Sequence, residues 1–242
     1  MTKTSDAVIA AALKLTRGLK GLRFGAPIHT VYNPLEYAWD AHRSYLERFA
    51  RKRKRAFFLG MNPGPWGMAQ TGVPFGEIQA VREFLGIEAK VGKPDPEHPK
   101  RPIDGFACKR SEVSGRRLWG LVASRFGTPE VFFEEQFVAN YSPLVFMDSG
   151  GRNLTPDKLP SREKGAMEEL CDAHLAELLE ILRPEILVGV GQFAEECLSR
   201  VAAGIESEAK ILRILHPSPA SPAANRGWDR IVEKALVDQG VW

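Results

Sequence analysis

The stretch RAFFLGMNPGPWGMAQTGVPFGE, residues 55–77, carries five glycines and three prolines, and beyond Arg55 its sole ionisable side chain is Glu77. Its opening residues, 55–60, read as a sheet strand, and the remainder as a rigid, nearly uncharged loop that starts where the strand stops. Three further apolar runs have the same strand character: QFVAN (136–140), EILVGVG (185–191) and KILRIL (210–215). Between them lie segments of helical periodicity at 34–52, 111–127, 161–182 and 192–204. Strands that alternate with helices make an α/β fold, expected here as a single domain with a short central parallel four-stranded sheet flanked by helices on both faces. Residues 1–24 read as a helical extension of that domain, which spans 1–242.

The segment 161–182 shows the period most plainly. Met167, Leu170, Cys171, Leu175, Leu178, Leu179 and Leu182 recur at spacings near three and four, an apolar stripe that faces a core. Ser161 reads as its cap and Pro184 as its stop. VGKPDPEHPKRPIDG (91–105), with four prolines, fits neither a helix nor a central strand and reads as a surface excursion.

With 242 residues, 44% hydrophobic and 26% charged, the chain has ordinary globular composition. No apolar run approaches the roughly 18 residues of a membrane span, and the N-terminus mixes charges into its apolar positions. An intracellular protein is expected, cytoplasmic if bacterial and nuclear if eukaryotic. The three cysteines, Cys108, Cys171 and Cys197, are scattered, so neither a disulfide framework nor a metal knuckle is expected. Formal net charge is only +3, but the cations cluster. Residues 51–55 are five in a row, and Lys109, Arg110, Arg116 and Arg117 surround a helix start. The first cluster reads as a solvated face or, alternatively, as a surface that tracks nucleic-acid phosphates.

In an open parallel sheet the ligand crevice lies outside the carboxyl ends of the strands. The residues just past each strand are therefore the chemically informative part of the sequence. The first strand exits into Met61 and Asn62, the second ends on Asn140 and the fourth leads to His216, while the third offers only Gly191 before its helix. Two amides and an imidazole thus meet at one lip. Glycine and proline density lets backbone approach a flat ligand there. A phosphate-binding loop is excluded: GMNPGPWG has neither GxxxxGK[ST] nor GxGxxG, and its prolines lack amide hydrogens.

GMNPGPWGMAQTGVPFGE, RSEVSGRRLWG, NYSPLVFMDSGGRNLTPDKLP and HPSPASPAANRGW, in that order, resemble the single-strand-selective monofunctional uracil-DNA glycosylases of the uracil-DNA glycosylase superfamily. The resemblance runs from about residue 25 to the C-terminus. It implies a DNA repair enzyme that flips uracil, and some 5-substituted uracils such as 5-hydroxymethyluracil, into a pocket and hydrolyses the N-glycosidic bond. The alternatives are a glycosylase for the deaminated purines xanthine and hypoxanthine, or a catalytically weak DNA-damage binder. The latter would not need Asn62 and His216. No cofactor and no metal are expected. The partner is uracil-containing DNA, single-stranded or duplex, with no membrane, and the protein is a monomer.

The resemblance also implies roles. Phe75 stacks on the base, and Asn140 accepts from uracil N3–H while donating to O4. A rotated amide would fit cytosine equally well, so neighbours must hold it. His216 donates to uracil O2 as negative charge develops there, and Asn62 positions the attacking water. An amide cannot remove a proton at pH 7, unlike the aspartate of other superfamily branches, so leaving-group stabilisation carries more of the catalysis. Met61, Gly64, Met68, Gly72 and Pro74 surround the base, with Gly72, Val73 and Pro74 beside its C5 edge. Ser111 and Ser114 contact DNA, as do Pro217, Ser218, Pro219, Ala220, Ser221, Pro222, Asn225 and Arg226. Animal members carry bulkier polar residues where this chain has Ala220, Ser221 and Ala223, which implies a weaker wedge into duplex DNA. An iron–sulfur branch needs four cysteines, and a lyase needs a pocket lysine; this sequence offers neither.

Overall fold

Helix α1 (Lys3–Leu19) leads through strand β1 (Thr30–Tyr32) to α2 (Pro34–Tyr37), α3 (Trp39–Phe49) and strand β2 (Ala56–Gly60). The short helix α4 (Met68–Thr71), then α5 (Val113–Phe126) and α6 (Pro129–Glu135), precede β3 (Gln136–Asn140), β4 (Val145–Met147) and β5 (Asn153–Leu154). The chain closes with α7 (Ser161–Leu182), β6 (Ile186–Val190), α8 (Gln192–Gly204), β7 (Lys210–Ile214) and α9 (Trp228–Asp238). This computed structural model describes residues 2–242, Asp157 by its backbone alone; Met1 of the expected N-terminal extension lies outside the described residues.

Strands β3, β2, β6 and β7 form, in that order, a wholly parallel four-stranded sheet. All five residues of β2 are buried, because successive side chains point to opposite faces and both faces are covered. Phe57 lies in register with Phe137, their rings 6.2 Å apart, and Tyr45 of α3 packs 5.5 Å from Phe137 on that face. Phe58 points the other way, to Phe132 of α6 and to Trp242. Expected and observed strands agree to within one residue at each end.

Three local differences have physical reasons. The expected helix 34–52 is broken at Ala38, whose φ of −117° and ψ of 28° are not helical, and it ends at Phe49. Ser161 is the first residue of α7 rather than its cap; Pro160 holds the cap position and makes no side-chain bond. The stop is as expected, with Arg183 left-handed (φ 47°) because a residue before proline is disfavoured in the right-handed helical region. A second, antiparallel sheet of β1, β4 and β5 has no counterpart in the sequence reading, since strands of two or three residues leave no periodic trace.

The basic run 51–55 enters at the amino end of β2, opposite the strand carboxyl ends, so it does not serve as a phosphate track beside the site. Its last two members face the protein. Lys54 is buried with its ammonium on the Phe133 carbonyl, and burial pushes its pKa down to about 8. Arg55 donates to the Val241 and Gly240 carbonyls and pins the C-terminus. Among the described residues, no helix is long and apolar enough to cross a membrane.

Candidate active site

A cavity of about 240 Å³ opens at the carboxyl ends of the parallel strands, lined by Met61, Asn62, Gly64, Met68, Phe75, Asn140 and His216. The three strand exits therefore converge as the sequence reading expects. Ser114, Ser218 and Pro219 complete one side of the wall.

The wall is stiff because buried polar side chains hold the loop from behind. Gln70, fully buried, donates to the Pro65 and Pro102 carbonyls and accepts from the Asp104 and Gly105 amides, so one side chain fastens α4 to the proline-rich excursion. Thr71 donates to the Gly76 carbonyl at 3.0 Å, and Tyr37 to that of Ala69 at 2.7 Å. Glu77, the loop's carboxylate, faces away from the cavity and accepts from Ser111 Oγ and the Ala80 amide. Phe75 adopts a left-handed backbone, φ 51°, which costs on the order of 1–2 kcal/mol for a residue with a Cβ. Its carbonyl is held by the Trp119 indole N–H at 3.1 Å. Helix α5 comes this close only because residue 115 is glycine: a Cβ there would lie 2.0 Å from the Phe75 oxygen.

Asn140 and Phe75 meet over Gly60. A Cβ on residue 60 would fall 2.5 Å from Asn140 Oδ1 and 2.6 Å from Phe75 Cζ. The Asn140 nitrogen donates to Met68 Sδ at 3.4 Å. Asn62 donates to the Leu144 carbonyl at 3.2 Å, which turns its amide so that Oδ1 remains as acceptor. His216 Nδ1 accepts from the Ser218 amide at 3.0 Å, so the neutral ring carries its proton on Nε2. Burial lowers the pKa of that ring and keeps it neutral near pH 7. Gly191 makes room for it: a Cβ there would lie 3.2 Å from the His216 Cβ.

Two expected base contacts lie elsewhere. Gly72 caps α4 with φ 73°, faces Ala38, and its carbonyl bonds His42 Nδ1. Pro74 lines a separate small crevice behind Asn140. Neither they nor Val73 line the cavity, whereas a Cβ on Gly64 would meet nothing within 4 Å. Of the expected DNA contacts, Ser111 is exposed outside the cavity and donates to Glu77, while Pro217 is buried. Ala220, Pro222, Asn225 and Arg226 are exposed and Ser221 is half-buried on the loop beyond the mouth.

Four residues escaped the sequence reading. Glu112 lines the cavity, but both its oxygens cap α5 through the Ser114 and Gly115 amides, so it is not free to act as a base. Asn153 and Thr155 reach the cavity from β5 and the turn after it, a placement set by the unforeseen second sheet. Arg117 donates to the Pro217 carbonyl and to Asn225 Oδ1, both at 2.8 Å, and braces the loop after His216. The GRRLWG cluster carried that signal without saying which arginine turned inward.

The fold and site define a class that comparison with known proteins makes specific: residues 47–236 match the model of the Uracil DNA glycosylase superfamily. The single-strand selective monofunctional uracil-DNA glycosylase of Rattus norvegicus is 45% identical over 98% of this chain and 85% of its own length. Those of Mus musculus and Bos taurus are each 44% identical over 98% of this chain, covering 85% and 87% of their own lengths. This chain belongs to the single-strand-selective monofunctional uracil-DNA glycosylase family of that superfamily. The crystal structure of wild-type Pedobacter heparinus SMUG2 shares the fold, with a TM-score of 0.67 at 18% identity over 95% of this chain and 97% of that one.

Proposed function

We infer that the cavity takes up a uracil flipped out of DNA and that the protein hydrolyses its N-glycosidic bond, releasing the base and leaving an abasic site. One observation carries this reading: Asn62, Phe75, Asn140 and His216 line one cavity, with each polar side chain held in one orientation. Phe75 covers a face of the base, and Asn140 reads its edge. Cleavage leaves negative charge on uracil O2, and the Nε2–H of neutral His216 donates to it. A preorganised donor of this kind is worth roughly 10²–10³ in rate. Asn62 accepts from the attacking water through Oδ1 and orients it toward the sugar.

Gly64, rather than Gly72 or Pro74, leaves the open side of the pocket, which supports acceptance of 5-substituted uracils such as 5-hydroxymethyluracil. We propose a monomeric, intracellular enzyme that prefers single strands, because the loop tip at Ala220, Ser221 and Ala223 is too small to fill a duplex gap. Buried side chains from Val8 to Val241 share one core, which supports a one-domain reading of the whole chain.

The test is incubation in EDTA with end-labelled oligonucleotides carrying one uracil, single-stranded or opposite guanine, followed by alkali. Strand scission at uracil only after alkali is expected, faster on the single strand. No scission on either substrate would remove the glycosylase reading for this cavity.

A further inference from the structure

Trp66 stands between Gly64 and Gly67, two residues that line the cavity. Two guanidinium groups sit over its indole: Arg101, from the proline-rich excursion, has Cζ 5.2 Å from the ring centroid, and Arg110, just before α5, has Cζ at 5.4 Å. Both are held on the tryptophan by cation–π attraction. Such a contact leaves in-plane N–H donors for phosphate: Arg101 spends one Nη1 hydrogen on the Lys100 carbonyl at 2.8 Å and keeps Nη2, while the exposed Arg110 has its whole fork to offer.

The nearby acids are committed elsewhere. Glu97 pairs with Lys93, Asp104 lies at the edge of the same lysine, and Glu112 caps α5. Among the described residues neither arginine forms an ion pair, in contrast to Arg43, Arg48, Arg82, Arg125, Arg200 and Arg213, each on a carboxylate. Arg101 Nε is buried without a partner. The backbone of Arg101 is fixed by the His98 carbonyl and the Tyr32 hydroxyl, so the charge is anchored on a braced segment.

We propose that Arg101 and Arg110, clamped by Trp66, form a phosphate site for the DNA strand whose flipped base occupies the cavity. The site rests on the glycosylase reading above and adds a strand contact at the mouth that the loop after His216 does not provide. It also identifies which basic cluster meets DNA: this one, and not residues 51–53 at the far end of the sheet.

The test is the salt dependence of binding to a single-stranded oligonucleotide that carries one non-cleavable 2′-fluoroarabino-uridine, read by fluorescence anisotropy. Each phosphate contact on a single strand contributes about 0.7 to the slope of log affinity against log salt. Arg101→Ala and Arg110→Ala are expected to lower the slope by about that amount each and to weaken binding severalfold at low salt. Trp66→Leu leaves formal charge unchanged but should lower the slope in the same direction, because it releases both guanidinium groups. The double variant Arg51→Ala/Arg53→Ala, which removes two charges where each test variant removes one, should leave the slope as it is. An unchanged slope in exposed Arg110→Ala, or an equal loss in the Arg51/Arg53 control, would overturn the clamp. Wild-type protein is assayed alongside for uracil excision. Intact excision with unchanged slopes removes the clamp alone, whereas absent excision removes the glycosylase reading on which it rests.

Discussion

The Asn140 side-chain nitrogen donates to Met68 Sδ across 3.4 Å, and this contact settles which way the amide of the cavity floor points. A thioether sulfur accepts and cannot donate, so the reversed amide would set oxygen against sulfur. In the observed orientation Oδ1 lies over Gly60 beside the Phe75 ring. In the proposed binding mode, that orientation would accept from uracil N3–H and would set Oδ1 against the unprotonated N3 of cytosine. Met68→Leu keeps the volume and removes the acceptor. We expect the ratio of binding affinities for non-cleavable deoxyuridine and deoxycytidine oligonucleotides to fall by about fivefold, equivalent to about 1 kcal/mol. A parallel loss for both bases would mean that Met68 only fills space.

The 3.0 Å bond from the Ser218 amide makes His216 Nδ1 an acceptor, and burial lowers the ring's pKa. Nitrogen NMR of labelled histidine should show Nδ1 unprotonated and Nε2 protonated at pH 7, with titration below pH 6.5.

Gly60→Ala is expected to abolish uracil excision while the protein stays folded. The added methyl would displace Asn140 or Phe75, at a stability cost of roughly 1–3 kcal/mol. Thermal unfolding and single-turnover excision together check this.

Arg117→Ala frees the Pro217 carbonyl and Asn225 from their brace. Excision should slow by about tenfold, roughly 1.4 kcal/mol on the barrier, because the His216 loop loses its fixed position. Arg117→Lys cannot bridge both acceptors with a planar fork and should rescue only in part. Single-turnover rates for the two variants decide it.

Two histidines, His42 buried and His174 half-buried with its Nδ1 out of contact with solvent, set the acid limit. Burial lowers both His42 and His174 to about 4. Each is neutral in the folded protein and protonates in the unfolded chain near pH 6.5, so their contribution is complete above pH 6.5 and is lost as pH falls toward 4. The loss is roughly 3 kcal/mol apiece at most. Denaturant midpoints measured between pH 7 and 4 should fall steeply, and His42→Gln should flatten that dependence.

The parallel sheet was legible because its central strands β2 and β6 are continuous apolar runs of five residues that end at glycine, its edge strands β3 and β7 keep an apolar, β-rich character despite Gln136, Lys210 and Arg213, and the helices between them keep a regular period. The convergence of Asn62, Asn140 and His216 followed from the sheet alone, since parallel strands deliver their exits to one lip. Phe75 was legible only through the family resemblance, since an aromatic at the end of a turn reads equally as a core residue. The features that stayed hidden depend on contacts distant in sequence. Gly72 looks like a pocket glycine, yet its left-handed turn packs it on Ala38. Asn153 depends on a two-residue strand. The five-cation run outweighed Arg101 and Arg110 to the eye, but nothing local shows which end of the sheet a charge will occupy.

The central claim is that this cavity cleaves by leaving-group donation from His216 and water orientation by Asn62. Single-turnover excision of uracil from single-stranded DNA, with affinity for the non-cleavable oligonucleotide measured separately, tests it most directly. His216→Ala and Asn62→Ala should each slow the chemical step by about a hundredfold or more while affinity stays within a few-fold. Excision at the wild-type rate in either variant would contradict the account.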